Sequence, residues 1–231
     1  MDFANRHVVV TGGAGVLGTA VVSMLLEQGA HCTIPVFDDA EALTYSHRHH
    51  AGITMIPGCD LSTEAGVERL YAATGELWAS IHIAGGFAMD SLEQTDKAAL
   101  MRMIEVNLVS AYLCCRAAAR AFGPQGGRIV NVAARPALEP RRGAGMTAYV
   151  ASKAALSAVT QSLAEELAPR NILVNAVAPS IIDTPANRAA MPTALHDNWP
   201  KPAEIAATLV FLASAQNLST SGAIVPVYGR S

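Results

Sequence analysis

The strongest constraint on the fold is a glycine-rich segment close to the start of the chain. Val8-Val9-Val10 precedes Thr11-Gly12-Gly13-Ala14-Gly15-Val16-Leu17-Gly18, and a helical pattern continues to Gln28. Between a strand and a helix, such glycines let the backbone approach a pyrophosphate at the helix N-terminus. We interpret the segment as a dinucleotide-binding loop, and the alternative is a tight turn that binds no ligand.

Apolar runs of strand length alternate with helical patterns along the rest of the chain. Strands are predicted at 7–10, 31–37, 53–56, 80–83, 128–132, 173–178 and 223–227, and helices at 16–28, 62–74, 95–121, 148–168 and 202–214. This alternation is typical of an α/β fold with a Rossmann-like doubly wound parallel sheet in three α/β/α layers. A chain of 231 residues is long enough for one such domain, predicted over 1–231, and too short for a sizeable second one.

Ligands of doubly wound sheets bind beyond the carboxyl ends of the strands. Two less regular segments follow strands at 135–147 and 182–202, and we predict that they form the substrate loops. Pro35 removes a donor from the sheet ladder, so the second strand is expected to end before Phe37.

Composition narrows the partners and the compartment. A net charge of −3 and 15% charged residues give no basic face for nucleic acid or an anionic membrane, which favours a small-molecule substrate. Residues 1–7 contain no apolar run of signal-peptide or membrane-span length, so a cytoplasmic protein is expected. The four cysteines lack Cys-x-x-Cys spacing and are expected to be reduced packing residues. We interpret the tract from His47 to His50 as a solvated loop rather than a metal site, and predict no metal.

A Tyr-x-x-x-Lys pair marks the candidate chemistry. Tyr149 and Lys153 lie four residues apart, and therefore on one face of the predicted helix 148–168. A lysine ammonium near the phenol would favour its phenolate, whose proton otherwise dissociates near pH 10. The alternative is a half-buried helix tyrosine beside a solvated lysine.

Together these motifs resemble the short-chain dehydrogenase/reductase family, and the resemblance runs almost end to end. Further motifs match in order: Asp60-Leu61, Ala84-Gly85-Gly86, Asn107 within Val106-Asn107-Leu108, and Pro179 to Thr184. The glycine loop departs from the family's usual single-domain pattern, because Val16 stands where a glycine is usual. Its spacing is closer to that of larger, sugar-modifying members, whose C-terminal substrate domain this chain has no residues to form. Ser180 also replaces a usual glycine.

The resemblance implies binding of NAD or NADP, with hydride exchanged between the nicotinamide and a small carbonyl, alcohol or quinonoid substrate. Tyr149 would be the acid/base, Lys153 would also bind the nicotinamide ribose, and Asn107 would hold a water that links Lys153 to solvent. The residues implied to contact the cofactor are Gly12, Gly15, Leu17, Gly18, Asp60, Leu61, Ala84, Gly85, Gly86, Asn107, Tyr149, Lys153, Pro179, Ile182 and Thr184.

The choice between NAD and NADP stays open. Asp38 lies 20 residues after Gly18, where an acid would bind the ribose 2'-OH and favour NAD. By the family's spacing, however, Val36 occupies the usual acid position. Asp38 is equally well explained as a solvated acid of the loop that also contains Asp39 and Glu41.

The family's catalytic serine is missing. Its position falls on Ala134, and Ala133 also lacks a hydroxyl. Loss of one oxyanion donor typically lowers the rate roughly a hundred- to thousand-fold. Segments around Ala133-Ala134-Arg135 and Asp183-Thr184-Pro185 locally resemble dihydropteridine reductases, which reduce an easily reduced quinonoid ring without this serine. An easily reduced or otherwise polarised substrate is therefore expected.

Two other functions and an assembly state remain to be considered. Ala134 and Val36 allow a dinucleotide-binding regulator or scaffold with weak or lost catalysis, while the glycine spacing suggests sugar-nucleotide epimerisation, against which the chain length argues.

The cations of loop 135–147 could meet an anionic substrate, but with no partner acid visible we interpret them as solvated; they are Arg135, Arg141 and Arg142. The later loop could cover the substrate through Asn187, Arg188, Met191 and Trp199. The predicted helices 96–121 and 148–168 are apolar over much of their surface, and the resemblance implies a homodimer or homotetramer.

Overall fold

The computed structural model describes residues 3–231, apart from the side chain of Asp39, so the first two residues of the predicted domain lie outside it. The strands are β1 His7–Thr11, β2 His31–Pro35, β3 Ile53–Ile56, β4 Leu77–His82, β5 Gly127–Val132, β6 Ile172–Pro179 and β7 Ile224–Val227. The α-helices are α1 Val16–Leu26, α2 Asp39–Thr44, α3 Glu64–Ala72, α4 Lys97–Ile104, α5 Ser110–Ala121, α6 Arg135–Leu138, α7 Thr147–Leu167, α8 Pro185–Ala190 and α9 Pro202–Ala213. A π-helical turn, Glu105–Val109, joins α4 to α5.

The seven strands form one parallel sheet in the order β3-β2-β1-β4-β5-β6-β7. The chain moves outward from β1 to β3 on one side, then returns to pair β4 with the other side of β1. The strand order therefore reverses between β1 and β4, and a crevice opens at their carboxyl ends. The predicted doubly wound α/β fold is confirmed.

Helices cover both faces of the sheet. Val8 and Val10 point into a core shared with α1 and α9, whereas Val9 points into a second core shared with α3, α5 and α7. Because successive strand residues face opposite sides, a strand buried on both faces carries an unbroken apolar run. This arrangement explains the three consecutive valines and confirms the three-layer architecture.

The predicted elements differ from the observed ones mainly at the loops. Strand β2 ends at Pro35, as expected, whereas β4 begins three residues earlier than predicted, at Leu77. The predicted helix 95–121 is interrupted by the π-helical turn. Short helices α2, α6 and α8 were not predicted, and two of them lie inside the proposed substrate loops.

The helical stretch Lys97–Ala121 is long and apolar enough, by length and composition, to cross a membrane, although only 33% of its most apolar window is buried. Its inner side carries Cys114, Cys115 and Ala118, which pack against the sheet in the second core. Core helices of soluble proteins pass the same test, and here the stretch forms part of the outer layer of the α/β/α fold.

Candidate active site

The glycine loop turns sharply between β1 and α1. Gly12 has φ +66°, and a Cβ there would lie 2.8 Å from the backbone nitrogen of Ala84. A Cβ on Gly18 would collide with the carbonyl of Gly12, since α1 packs directly on the loop. Gly15, at the N-cap of α1, is different because a Cβ there would meet only the Gly12 carbonyl, at 3.4 Å. The loop therefore leaves space at Gly15 for an outside group.

This loop lies at the point where the strand order reverses. Thr11, the last residue of β1, accepts hydrogen bonds from the backbone N–H groups of Ile83 (3.1 Å, to its carbonyl) and Ala84 (3.2 Å, to Oγ1). The segment Ala84-Gly85-Gly86 is thereby held against the end of β1. Leu17 is buried in the first core and anchors the start of α1.

Asn107 is fully buried within the π-helical turn. Its Oδ1 accepts from the N–H of Gly86, its Nδ2 donates to the Gly86 carbonyl, and both distances are 3.0 Å. Nδ2 also lies 3.2 Å from Ser152 Oγ on α7. The side chain thus connects the loop after β4 to the helix that carries Tyr149 and Lys153.

Lys153 is buried beside this amide. Its ammonium donates to the carbonyl of Val132 at 2.7 Å, and a Cβ on Gly85 would lie 3.3 Å from Nζ and 2.6 Å from Asn107 Oδ1. Burial lowers the pKa of Lys153 to about 8. The absence of a side chain at Gly85 is what lets these two polar groups approach the same loop.

Tyr149 lies one helical turn before Lys153, and the ring of Phe87 contacts its ring edge-on at 5.1 Å between centroids. Burial raises the pKa of Tyr149 to about 12. The Lys153 ammonium is directed to the Val132 carbonyl, so its stabilisation of the Tyr149 phenolate stays a prediction. Burial therefore favours the protonated form of the Tyr149 phenol.

The ends of β2 and β3 form the other half of the crevice. Asp60 Oδ1 accepts from the backbone N–H and the hydroxyl of Ser62, at 2.9 and 2.7 Å, and Leu61 packs against the second core. Val36 is buried. Asp38 is exposed and caps α2 by accepting from the N–H of Ala40 at 2.8 Å, a role that neither sequence interpretation included.

The segment after β6 is ordered by local hydrogen bonds. Pro179 ends β6, and the carbonyl of Ile182 accepts from Asn187 Nδ2 at 2.8 Å. Thr184 caps α8 through its Oγ1, which accepts from the N–H of Asn187. Arg188 makes two hydrogen bonds to the carboxylate of Asp183, which lowers the pKa of that carboxyl. The 182–202 segment is thus a structured loop rather than an irregular one.

The segment after β5 corrects one sequence interpretation. Arg135, with 15% of its side chain exposed, and the more exposed Arg142 both pair with Glu139, at 3.1 and 2.7 Å, so these cations are not simply solvated. Arg135 also stacks over the ring of Tyr228, at 4.5 Å from its centroid. The partner acid was missed although it stands four residues after Arg135, a spacing that places both side chains on one helical face. Ala134 is buried and caps α6 without a side-chain hydrogen bond.

The histidine tract and the cysteines have structural roles. His47 Nε2 lies 2.8 Å from Ser23 Oγ, and His50 Nδ1 accepts from the N–H of Gly52 at 3.0 Å. All four cysteines are free and buried, as expected. Among the residues described, no group of three or more potential ligands is arranged to hold a metal ion.

A buried polar network below the crevice was not found from the sequence. His82, the last residue of β4, lies 2.8 Å from both Ser80 Oγ and Asn131 Oδ1, and Asn131 Nδ2 donates to Thr160 on α7. Burial lowers the pKa of His82 to about 4. The signal that could have revealed it is polar residues standing at buried positions of two central strands.

A strand–glycine loop–helix therefore lies at the strand reversal, and buried Asn107 and Lys153 lie near it, with Tyr149 one helical turn before Lys153. Residues 6–194 match the family model described as short chain dehydrogenase. The chain is 32% identical over 222 residues to carbonyl reductase family member 4 of Danio rerio, covering 90% of this chain and 91% of that protein. It is 33% identical to galactitol 2-dehydrogenase of Rhizobium johnstonii over 240 residues, which cover 96% of this chain and 93% of that protein. The crystal structure of gox2181 superimposes with a TM-score of 0.91 at 28% identity, over 99% of this chain and 96% of that one. The chain therefore belongs to the short-chain dehydrogenase/reductase family and is an oxidoreductase.

Proposed function

We propose that the protein is an NAD(P)-dependent short-chain reductase or dehydrogenase with Tyr149 as its acid/base. The observation that carries the proposal is the convergence of Gly85, Asn107 and Lys153 at the carboxyl edge of the sheet, one helical turn from Tyr149. A lysine with only a structural role would not be expected to have its ammonium buried beside a glycine, as Lys153 does beside Gly85. Burial of an ammonium is unfavourable unless it is paired or used.

The residues present fit a nicotinamide dinucleotide. Gly15 leaves open space at the N-terminus of α1, where backbone N–H groups favour phosphate, and Gly85 lets Asn107 and the Lys153 ammonium approach the loop after β4. Asp60 and Leu61 follow β3, and Pro179 to Thr184 begin at the end of β6, so both segments lie at the carboxyl ends of strands, where ligands of such sheets bind. When bound, this cofactor supplies or accepts the hydride.

The chain's own residues then manage the proton. In reduction, the carbonyl carbon of the substrate gains hydride and its oxygen takes the proton of the Tyr149 hydroxyl; oxidation reverses both transfers. Lys153, charged at neutral pH, stabilises the phenolate that remains after the proton has left. Asn107 fixes the position of Gly86 and of α7. Ala134 contributes no hydroxyl to polarise the substrate, so an easily reduced or intrinsically polarised substrate, such as a quinonoid or activated carbonyl compound, is best suited.

Assembly and location are also proposals. Side chains on the Lys97–Ala121 stretch remain exposed at its outer side, including Leu100, Met101 and Tyr112. Apolar surface on one helical face is typical of a subunit interface. We propose that this face joins subunits in a homodimer or homotetramer, and that the protein works in the cytoplasm on a small molecule.

The cofactor proposal is tested by fluorescence titration of NADH and NADPH against the wild type and Gly15→Ala. The added methyl would meet only the Gly12 carbonyl, at 3.4 Å, so the variant should fold. The methyl would occupy the open space at the N-terminus of α1 that is proposed to hold phosphate. Weaker binding of both dinucleotides is expected. Gly123→Ala is the matched control, since its Cβ would also meet little, 3.6 Å from Glu76 Oε1 and far along the chain from the loop. Unchanged binding in Gly15→Ala, or no binding by the wild type, would refute the proposed cofactor site.

The second candidate is a dinucleotide-binding regulator, which Ala134 favours. It predicts tight binding of dinucleotide with no turnover on any quinonoid or carbonyl substrate, and the same behaviour in Tyr149→Phe.

A further inference from the structure

A cationic stack lies at the amino-terminal edge of the sheet, opposite the active site. Arg6 precedes β1, Trp78 is in β4, and Arg128 is in β5. The guanidinium carbon of Arg6 lies 3.5 Å from the centroid of the Trp78 ring, and that of Arg128 lies 5.2 Å from it. The indole is fixed because its Nε1 donates to the carbonyl of Ala213 at 2.9 Å.

The two positively charged guanidinium groups are therefore held close together where they are shielded from solvent. Arg128 is 8% exposed, and its pKa is lowered by burial and by the nearby charge of Arg6. Neither arginine forms an ion pair with any acid within the described residues 3–231. Cation–π contact with the indole offsets part of the cost, but it leaves the positive charge without a counter-charge.

Hydrogen-bond donors of the stack are also unused. Arg128 Nη1 and Nη2 donate hydrogen bonds to the carbonyls of Gly127 and Asn217, both at 3.2 Å, and these bonds fix the guanidinium. Its Nε and the Nη1 of Arg6 are buried and have no partner within the part of the chain that the structure describes. The same holds for Nδ1 of His7, whose ring stacks on His31 at 5.2 Å. Buried donors without acceptors are rare in folded proteins.

A groove of about 400 Å³ adjoins the stack, and Arg6, His7, Trp78 and Gln125 line it. Its volume is within the range of small-molecule sites. One acid, Glu76, stands at its exposed rim. The groove is thus lined by the Arg6 guanidinium, which has no ion pair within the described residues, and has room for a ligand.

We propose that this groove is a second ligand site, which binds an oxyanion, a phosphate or carboxylate group carried by a small molecule. Arg6 is its main donor, and the Trp78 ring holds the Arg6 guanidinium in place. The site lies across the sheet from the crevice and does not depend on the proposed cofactor chemistry.

The test is isothermal titration of the full-length protein with inorganic phosphate and, separately, with succinate, at constant ionic strength and with saturating NADH. NADH is added to occupy the proposed cofactor site at the glycine loop, and only this addition rests on the proposed function. The wild type should bind at least one anion saturably at concentrations up to about 10 mM. Arg6→Gln should weaken this binding about tenfold or more, since hydrogen bonds to charged groups are worth roughly 1.5–3 kcal/mol. Arg48→Gln, which removes an exposed arginine elsewhere, is the matched control and should bind as the wild type does.

Two-dimensional NMR of the wild type gives a reading that does not depend on a variant's folding. The bound anion should shift the indole N–H signal of Trp78 saturably and leave that of Trp199 unchanged. Phosphate binding alone would identify a phosphate ligand, and succinate binding alone a carboxylate; either supports the proposal. No saturable binding of either anion, equal binding by folded Arg6→Gln, or an unshifted Trp78 signal would overturn it.

Discussion

The Lys153 ammonium donates a hydrogen bond to the carbonyl of Val132 at 2.7 Å. Val132 is the last residue of β5, and Ala133 and Ala134 follow it directly. The strand end that would normally lead into the catalytic serine is therefore bound to the candidate catalytic lysine. One hydrogen bond thus links the backbone next to residue 134 to the candidate catalytic lysine, although the serine hydroxyl itself is missing.

Restoring the hydroxyl is the first prediction. Ala134→Ser should raise kcat/KM for simple carbonyl substrates by about tenfold or more, because an added donor can stabilise the developing oxyanion. Activity on easily reduced quinonoid substrates should change much less. Steady-state kinetics on both substrate types measures the difference.

Ala133→Ser is the matched control for that substitution. Ala133 packs with Ala176 and Ala178 in a small apolar cluster, so its hydroxyl would be buried away from substrate. It should lower the thermal stability without raising activity. Equal gains from both substitutions, or none from Ala134→Ser on a simple carbonyl, would contradict the proposed position of the serine.

The buried histidine predicts a pH dependence of stability. The pKa of His82 is about 4 in the folded protein, against 6.5 for an ordinary histidine. Below pH 6.5 His82 is protonated in the unfolded chain, whereas in the folded protein it stays neutral down to about pH 4. The free energy of unfolding therefore decreases as the pH falls from 6.5 to 4. The loss attributable to His82 should reach about 3 kcal/mol.

Urea unfolding at pH 7, 5 and 4 measures this loss when the wild type is compared with His82→Asn. Asparagine can replace the Nδ1 contact to Asn131 but does not titrate, so the variant should lose less stability on acidification. If the free energy of unfolding changes equally with pH in the two proteins, the pKa of His82 is not lowered by folding.

The cofactor preference can be tested at Asp38. Serine at this position keeps a helix cap but removes the negative charge, so Asp38→Ser should leave α2 intact. If the carboxylate faces the adenosine ribose, removing it strengthens NADPH binding relative to NADH, because an acid repels a 2'-phosphate. We expect a several-fold change in the ratio of the two dissociation constants, with no change in Glu41→Gln. Identical ratios in wild type and Asp38→Ser would limit Asp38 to its capping role.

The parallel sheet and the main helices could be predicted from the sequence because burial on both faces leaves a strong pattern, whereas the strand order is known only from the structure. The three valines of β1 and the glycines that follow them are direct consequences of strand burial and close packing. Helix ends were less predictable, since α2 depends on a cap by Asp38 and α8 on one by Thr184. Such short helices carry too few turns for an apolar period to appear.

Parts of the candidate site were beyond sequence reasoning for a different reason. The π-helical turn that places Asn107 opposite Gly86 lies inside a continuous helical pattern that does not mark it. The pairing of His82 with Asn131 joins residues far apart in the chain, and only the sheet register brings them together. The pKa of Tyr149 could not be predicted either, because it depends on how burial and the direction of Lys153 combine.

The central claim, that Tyr149 is the proton donor and acceptor, is tested most directly by Tyr149→Phe. Phenylalanine keeps the edge contact with Phe87 and removes only the hydroxyl. With quinonoid and carbonyl substrates at pH 7, kcat should fall by about a hundredfold or more, while the dissociation constants for NADH and NADPH remain those of the wild type. A folded Tyr149→Phe variant that turns over substrate as fast as the wild type would contradict the account.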